Sequence, residues 1–237
     1  YYPHNVHSLL VSAQMAGDGK TVIEAAKKLE AVVSDAAARN IAWVQPIKAA
    51  PYFAHAQFSD AKTILALADP GADFPYVKAM WHYARAVGLA GIGDATAAQS
   101  EVDAIAAFQE NADFSALAAG GVPAKDVLQL AQHVALGRIA QAEQDLQGAI
   151  KHYAAAVAVE DTLAYSEPPY WYYPTRQSLG AALLFAGDLD QAEQVLRTSL
   201  LRTPNNGWAL FGLMKVHEAR GEVIDIEREV ELGGPLH

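Results

Sequence analysis

The sequence predicts an all-α fold, an α-solenoid of antiparallel helix pairs that forms a single repeat domain over residues 1–237. Alanine supplies 48 of the 237 positions and runs of β-branched residues are few, which favours closely packed helices. Small residues and leucines also recur at helical spacing in successive segments, with turn residues between them. Recurrence of this kind is typical of repeat architectures.

The N-terminal third is expected to hold two helix pairs. The first joins a helix over residues 4–16 to one over residues 21–39. The second lies within residues 47–67 and is divided at Ser59-Asp60, where the polar side chains predict an N-cap.

The clearest repeat spans residues 174–204. Gly180 and Ala192 let its two helices approach closely, and Gly187-Asp188 breaks the chain between them. Leucines fill the space between the two helices, at Leu183, Leu196 and Leu200. The full set of predicted repeats is 75–110, 126–161, 174–204 and 205–221.

The spacing within these segments resembles the tetratricopeptide repeat (TPR), a helix–turn–helix unit of about 34 residues. Residues 126–161 carry the pattern as Leu136-Gly137, then alanine, Tyr153 and alanine on one helix face. The resemblance implies a TPR-like superhelix with a concave face. It implies little about function, because such solenoids have many roles.

Four segments resemble the C-terminal half of larger bacterial TPR proteins with histidine-rich helices. They are residues 2–7, 81–85, 167–180 and 204–208. The resemblance implies that the chain is a fragment of a longer protein, with its missing N-terminal half or a second chain as a partner. It implies no established activity.

Charge and composition exclude several classes of protein. The 17 basic and 27 acidic residues give a formal net charge of −10, opposite in sign to a typical nucleic-acid binder. Charged residues interrupt every apolar run short of the ~20 residues that a membrane span needs. The absence of cysteine excludes disulfides, thiolate metal sites and cysteine nucleophiles, and leaves bacterial cytoplasm and periplasm both open.

The first helix of each pair is expected to line the concave face of the superhelix. This places Tyr83, Arg138, Gln141 and Gln177 on that face, a mixture that suits a peptide, a partner protein or a small ligand.

An aromatic segment adds further candidates for ligand binding. Tyr172 and Tyr173 offer apolar area with a polar tip, and Arg176 on the following helical turn can bind a carboxylate. The alternative is that the rings fill the junction between two repeats.

Three histidines form a candidate metal site. His4 and His7 share a helix face, and His82, between Trp81 and Tyr83, is the best third ligand. Imidazoles suit copper, zinc or iron. The alternative is that His7 packs against the next helix.

Two functions follow from these patterns. The first is a TPR-type binding or scaffold module that holds its ligand on the concave face. The second is part of a metal-binding protein or metal-dependent enzyme that uses the N-terminal helix and the Trp81-His82-Tyr83 helix. No catalytic motif is present in the sequence, which favours a non-enzymatic role.

Overall fold

A computed structural model describes residues 2–222 of the chain. Over that range the fold is all-α, with thirteen helices and no strand. The helices are α1 (Tyr2–Ala16), α2 (Gly19–Val32), α3 (Asp35–Asn40), α4 (Val44–Phe58), α5 (Ala61–Leu65), α6 (Pro75–Gly91), α7 (Ala95–Asn111), α8 (Ser115–Ala119), α9 (Ala124–Ala142), α10 (Leu146–Glu160), α11 (Arg176–Phe185), α12 (Leu189–Arg202) and α13 (Gly207–Arg220).

The longer helices pack mainly on neighbours that are close in sequence. α6 contacts α7 and α9, and α9 contacts α10. α11 contacts α12 and α13, while α1 contacts α2, and α2 contacts α4. One continuous core of buried apolar side chains runs through these contacts, from Val6 near the N-terminus to Val216 in α13.

Four of the helix pairs share one type of connection. A residue with positive φ is followed by an aspartate whose side chain accepts a hydrogen bond from the backbone N–H three residues later. This arrangement satisfies an otherwise unpaired N–H at the start of the second helix. The capping residues are Asp18, Asp94, Asp145 and Asp188.

Small residues allow close approach within the pairs, as the sequence predicted for residues 174–204. A Cβ added at Gly180 would lie 2.6 Å from Cδ2 of Leu196, a side chain that is 1% exposed. The equivalent contact in the preceding pair is tighter, because a Cβ at Gly137 would lie 2.5 Å from Cε1 of Tyr153.

The N-terminal third follows the prediction in part. The predicted N-cap at Ser59-Asp60 is confirmed, since Asp60 accepts from the Thr63 N–H at the start of α5. The single helix expected over residues 21–39 is wrong. The chain leaves the helix at Val33, and Ser34 caps a separate helix, α3.

No helix in the described part of the chain combines the length and the apolar character that crossing a membrane requires. This agrees with the interruption of apolar runs in the sequence.

Candidate functional site

A cleft of about 1170 Å³ is the candidate binding site. Most of its wall comes from α1, α4, α6, α9, α11 and α13. The polar side chains at its wall are Gln14, Gln57, Ser59, Tyr83, Arg138, Gln141, Tyr173, Gln177, Ser178 and Lys215.

Five residues proposed from the sequence as ligand contacts line this cleft. The structure brings together Tyr83 of α6, Arg138 and Gln141 of α9, Tyr173 of the loop between α10 and α11, and Gln177 of α11. They lie 94 positions apart at the extremes, from 83 to 177, so the packing of successive helix pairs creates the group.

Arg138 is the central charge of the cleft. Its side chain keeps access to solvent in the cleft, within reach of the Tyr173 hydroxyl and near Tyr83 and Tyr153. Burial raises the pKa of Tyr83 and Tyr173, so the phenols stay neutral and do not compensate the guanidinium charge. No carboxylate within residues 2–222 forms an ion pair with Arg138.

The lining that the described residues provide contains no aspartate or glutamate. Its second cation, Lys215, differs from Arg138 because its Nζ lies 2.8 Å from a carboxylate oxygen of Glu218. Although the formal net charge of the chain is −10, the cleft thus presents an arginine that has no carboxylate partner within residues 2–222.

Glutamines supply most of the remaining polar groups of the cleft. The Gln141 Oε1 accepts from the Tyr153 hydroxyl, and the Gln177 Oε1 accepts from Asn206 at 3.1 Å. Gln14 donates to Gln57 Oε1 at 2.8 Å, while its own buried Oε1 receives no hydrogen bond from the part of the chain described. Fixed amides of this kind give a cleft defined hydrogen-bonding positions.

Four large apolar side chains form an exposed wall of the cleft, which we call the apolar edge. They are 48% to 70% exposed and comprise Ile92, Phe185, Trp208 and Phe211. The sequence analysis did not identify them. Ile92 and Phe185 stand just before the turn glycines Gly93 and Gly187, where a large apolar side chain is unusual and could have drawn attention.

The turn after α1 lies close to α13 beside the cleft. A Cβ added at Gly17, in the turn after α1, would lie 3.6 Å from Cζ2 of Trp208 in α13. Gln14 of α1 and Trp208 both line the cleft. Helices α1 and α13 thus both contribute to the lining.

Two residues proposed as ligand contacts lie outside the cleft. Tyr172 is 2% exposed, and its hydroxyl contacts His7 Nε2 at 2.7 Å and the Pro46 carbonyl oxygen at 3.4 Å. Arg176 instead forms two hydrogen bonds to the carboxylate of Asp161, at 2.7 and 2.5 Å. Tyr172 thus fills a junction between helices, and Arg176 anchors the start of α11 to the end of α10.

The three histidines proposed as metal ligands do not converge. His7 is buried against Tyr172, where burial and the nearby His4 lower its pKa to about 4. His82 Nδ1 lies 2.5 Å from Glu101 Oε2, and the other oxygen of that carboxylate, Oε1, accepts from Arg85 Nε at 2.7 Å. Within residues 2–222 no three or more histidine, aspartate or glutamate side chains are grouped to hold a metal ion. The placement gives no support to a site made from His4, His7 and His82.

Comparisons of the chain with family models, with curated proteins and with solved structures found no match. The kind of ligand that the cleft can bind is therefore inferred from the residues that line it. Its walls combine an uncompensated cation, amide donors and exposed aromatic rings. That combination suits binding, and the described lining contains no paired carboxylates or histidine for acid–base chemistry.

Proposed function

We propose that this protein is a non-enzymatic binding module of the TPR type, which holds its ligand in the cleft. The observation that carries the proposal is the cleft itself. Eight helices, from α1 to α13, contribute to its lining, which presents an exposed apolar edge and an arginine with no carboxylate partner in the described part of the chain. Open apolar surface beside a few fixed polar groups is characteristic of binding sites.

The repeated connection supports the TPR-type architecture. Asp18, Asp94, Asp145 and Asp188 cap the second helix of four pairs in the same way. Close contacts at Gly137 and Gly180 recur at equivalent places in two successive pairs. A stack of such pairs, with first helices lining a groove, would account for the contribution of α6, α9 and α11 to the cleft.

The metal-dependent alternative has less support. It needs His82 beside the N-terminal helix, whereas His82 contacts Glu101 of α7. No observation on the described residues favours it over the binding module.

The proposal is tested with a blocked cleft. The natural chain has no cysteine, so Ala181→Cys places a single reactive thiol in the cleft lining, and Leu201→Cys places one on a side chain that is 84% exposed elsewhere. Each variant is coupled to a bulky maleimide and titrated with N-phenylnaphthylamine, an uncharged fluorescent probe.

We expect the unmodified chain to bind the probe saturably. The adduct at position 181 should abolish this binding, and the adduct at position 201 should leave it intact. Probe binding unaffected by either adduct, or no saturable binding, would overturn the proposal. Circular dichroism of both adducts checks that the helices are retained.

A further inference from the structure

We infer that the ligand of this cleft is a compact amphipathic anion, with its acid group at Arg138 and its apolar body against the apolar edge. The inference rests on the proposed function and goes beyond it by naming the chemical class of the ligand. Three independent features of the cleft lead to it.

The first feature is charge. Within the described residues Arg138 has no carboxylate partner, and the lining they provide contains no acidic side chain. An anion that accepts from its planar array of N–H donors would form charge-assisted hydrogen bonds with this guanidinium. Lys215 does not compete for this role, because Glu218 already holds it at 2.8 Å.

The second feature is the hydrogen-bonding character of the cleft. The oxygens of Gln141 and Gln177 accept from Tyr153 and from Asn206, and their amide nitrogens are further donors of the lining to which Arg138 belongs. Together with the guanidinium, these amides can donate to a group that only accepts hydrogen bonds, such as a carboxylate or sulfonate.

The third feature is the apolar edge. Phe185 and Phe211 are 70% and 55% exposed, and together they provide surface for an apolar body. The turn after α1 lies close to this edge, since a Cβ added at Gly17 would lie 3.6 Å from Cζ2 of Trp208.

A matched pair of probes tests the inference. Anilinonaphthalene sulfonate differs from N-phenylnaphthylamine by one sulfonate group. We expect the intact chain to bind the sulfonate at least about tenfold more tightly than the uncharged parent, as one charge-assisted contact provides. Arg138→Gln should remove that preference and leave the affinity for the parent unchanged, while Arg138→Lys should keep part of it.

Lys151→Gln is the matched control, because it removes an exposed cation outside the cleft lining and should leave the preference intact. Displacement of the sulfonate probe by octanoate, but not by octanol, extends the result to carboxylates. Equal binding of the two probes in the intact chain, with both blocked by the adduct at position 181, would overturn the inference and leave the proposed function standing.

Two other results would also overturn the inference. One is a preference for the sulfonate that survives Arg138→Gln. The other is displacement by a pool of random octapeptides at lower concentration than octanoate, which would indicate a peptide ligand. Failure of the adduct at 181 to block either probe would instead count against the proposed function.

Discussion

The hydroxyl of Tyr172 lies 2.7 Å from Nε2 of His7, although 165 positions separate the two residues in the chain. Both side chains are buried, at 2% and 5% exposed, and their rings meet edge to face with centroids 5.4 Å apart. The contact packs the loop that carries Tyr172, between α10 and α11, against α1. It buries both side chains against each other, away from the cleft.

The burial of His7 predicts a stability that depends on pH. Its pKa is about 4 in the folded chain against 6.5 in the unfolded chain, because burial disfavours the imidazolium. Between these values the unfolded chain binds more protons. The contribution is therefore complete above pH 6.5 and is lost as the pH falls towards 4, by roughly 3 kcal/mol.

Urea unfolding of the natural chain and of His7→Gln at about pH 7.5 and about pH 4.5 measures this contribution. Burial also lowers the pKa of His55, but this contribution is present in both proteins. The difference in stability loss between the natural chain and the variant therefore isolates His7. The natural chain should lose more stability than the variant on acidification. Equal losses in both proteins would contradict the account.

The close approach of α9 and α10 predicts a steric penalty at Gly137. A Cβ there would lie 2.5 Å from Cε1 of Tyr153, a fully buried ring. Gly137→Ala should reduce the free energy of unfolding by about 1–3 kcal/mol. Gly91→Ala is the control, because nothing lies within 4 Å of its Cβ position at the end of α6, and it should be neutral or stabilising by up to about 1 kcal/mol. Similar effects from the two substitutions would show that the helices can separate freely.

The ion pair of Arg176 predicts a structural role without a part in binding. Arg176→Gln removes two hydrogen bonds to Asp161, which keeps a contact to Arg202 at 2.5 Å. Chemical denaturation should show a loss of about 1 kcal/mol. Titration with anilinonaphthalene sulfonate should give the same affinity as the natural chain. A weaker affinity for the probe in a variant of normal helix content would show that Arg176 contributes to ligand binding.

Local patterns made much of the fold predictable. Helix pairs follow from turn residues such as Gly187-Asp188, and the contact of Gly180 with Leu196 follows from small and large residues at helical spacing. The helix break before Ser34 escaped prediction because the apolar pattern continues across it. Only the cap at Ser34 marks the new helix.

The candidate site could be predicted only where it follows from the repeat frame. Tyr83, Arg138 and Gln177 lie on the first helix of their pairs, so the frame places them on one wall. Tyr172 and His7 meet through the packing of distant elements, which no local spacing encodes. That none of the described carboxylates pairs with Arg138 is likewise a property of the assembled cleft.

The most direct test of the central claim is a crystal structure of the chain with anilinonaphthalene sulfonate. The account predicts one probe in the cleft, with a sulfonate oxygen within about 3.5 Å of the Arg138 guanidinium. Its rings should pack on Phe185 and Phe211. A probe bound outside the cleft, or in the cleft with its sulfonate turned away from Arg138, would contradict the claim that this arginine selects an anionic ligand.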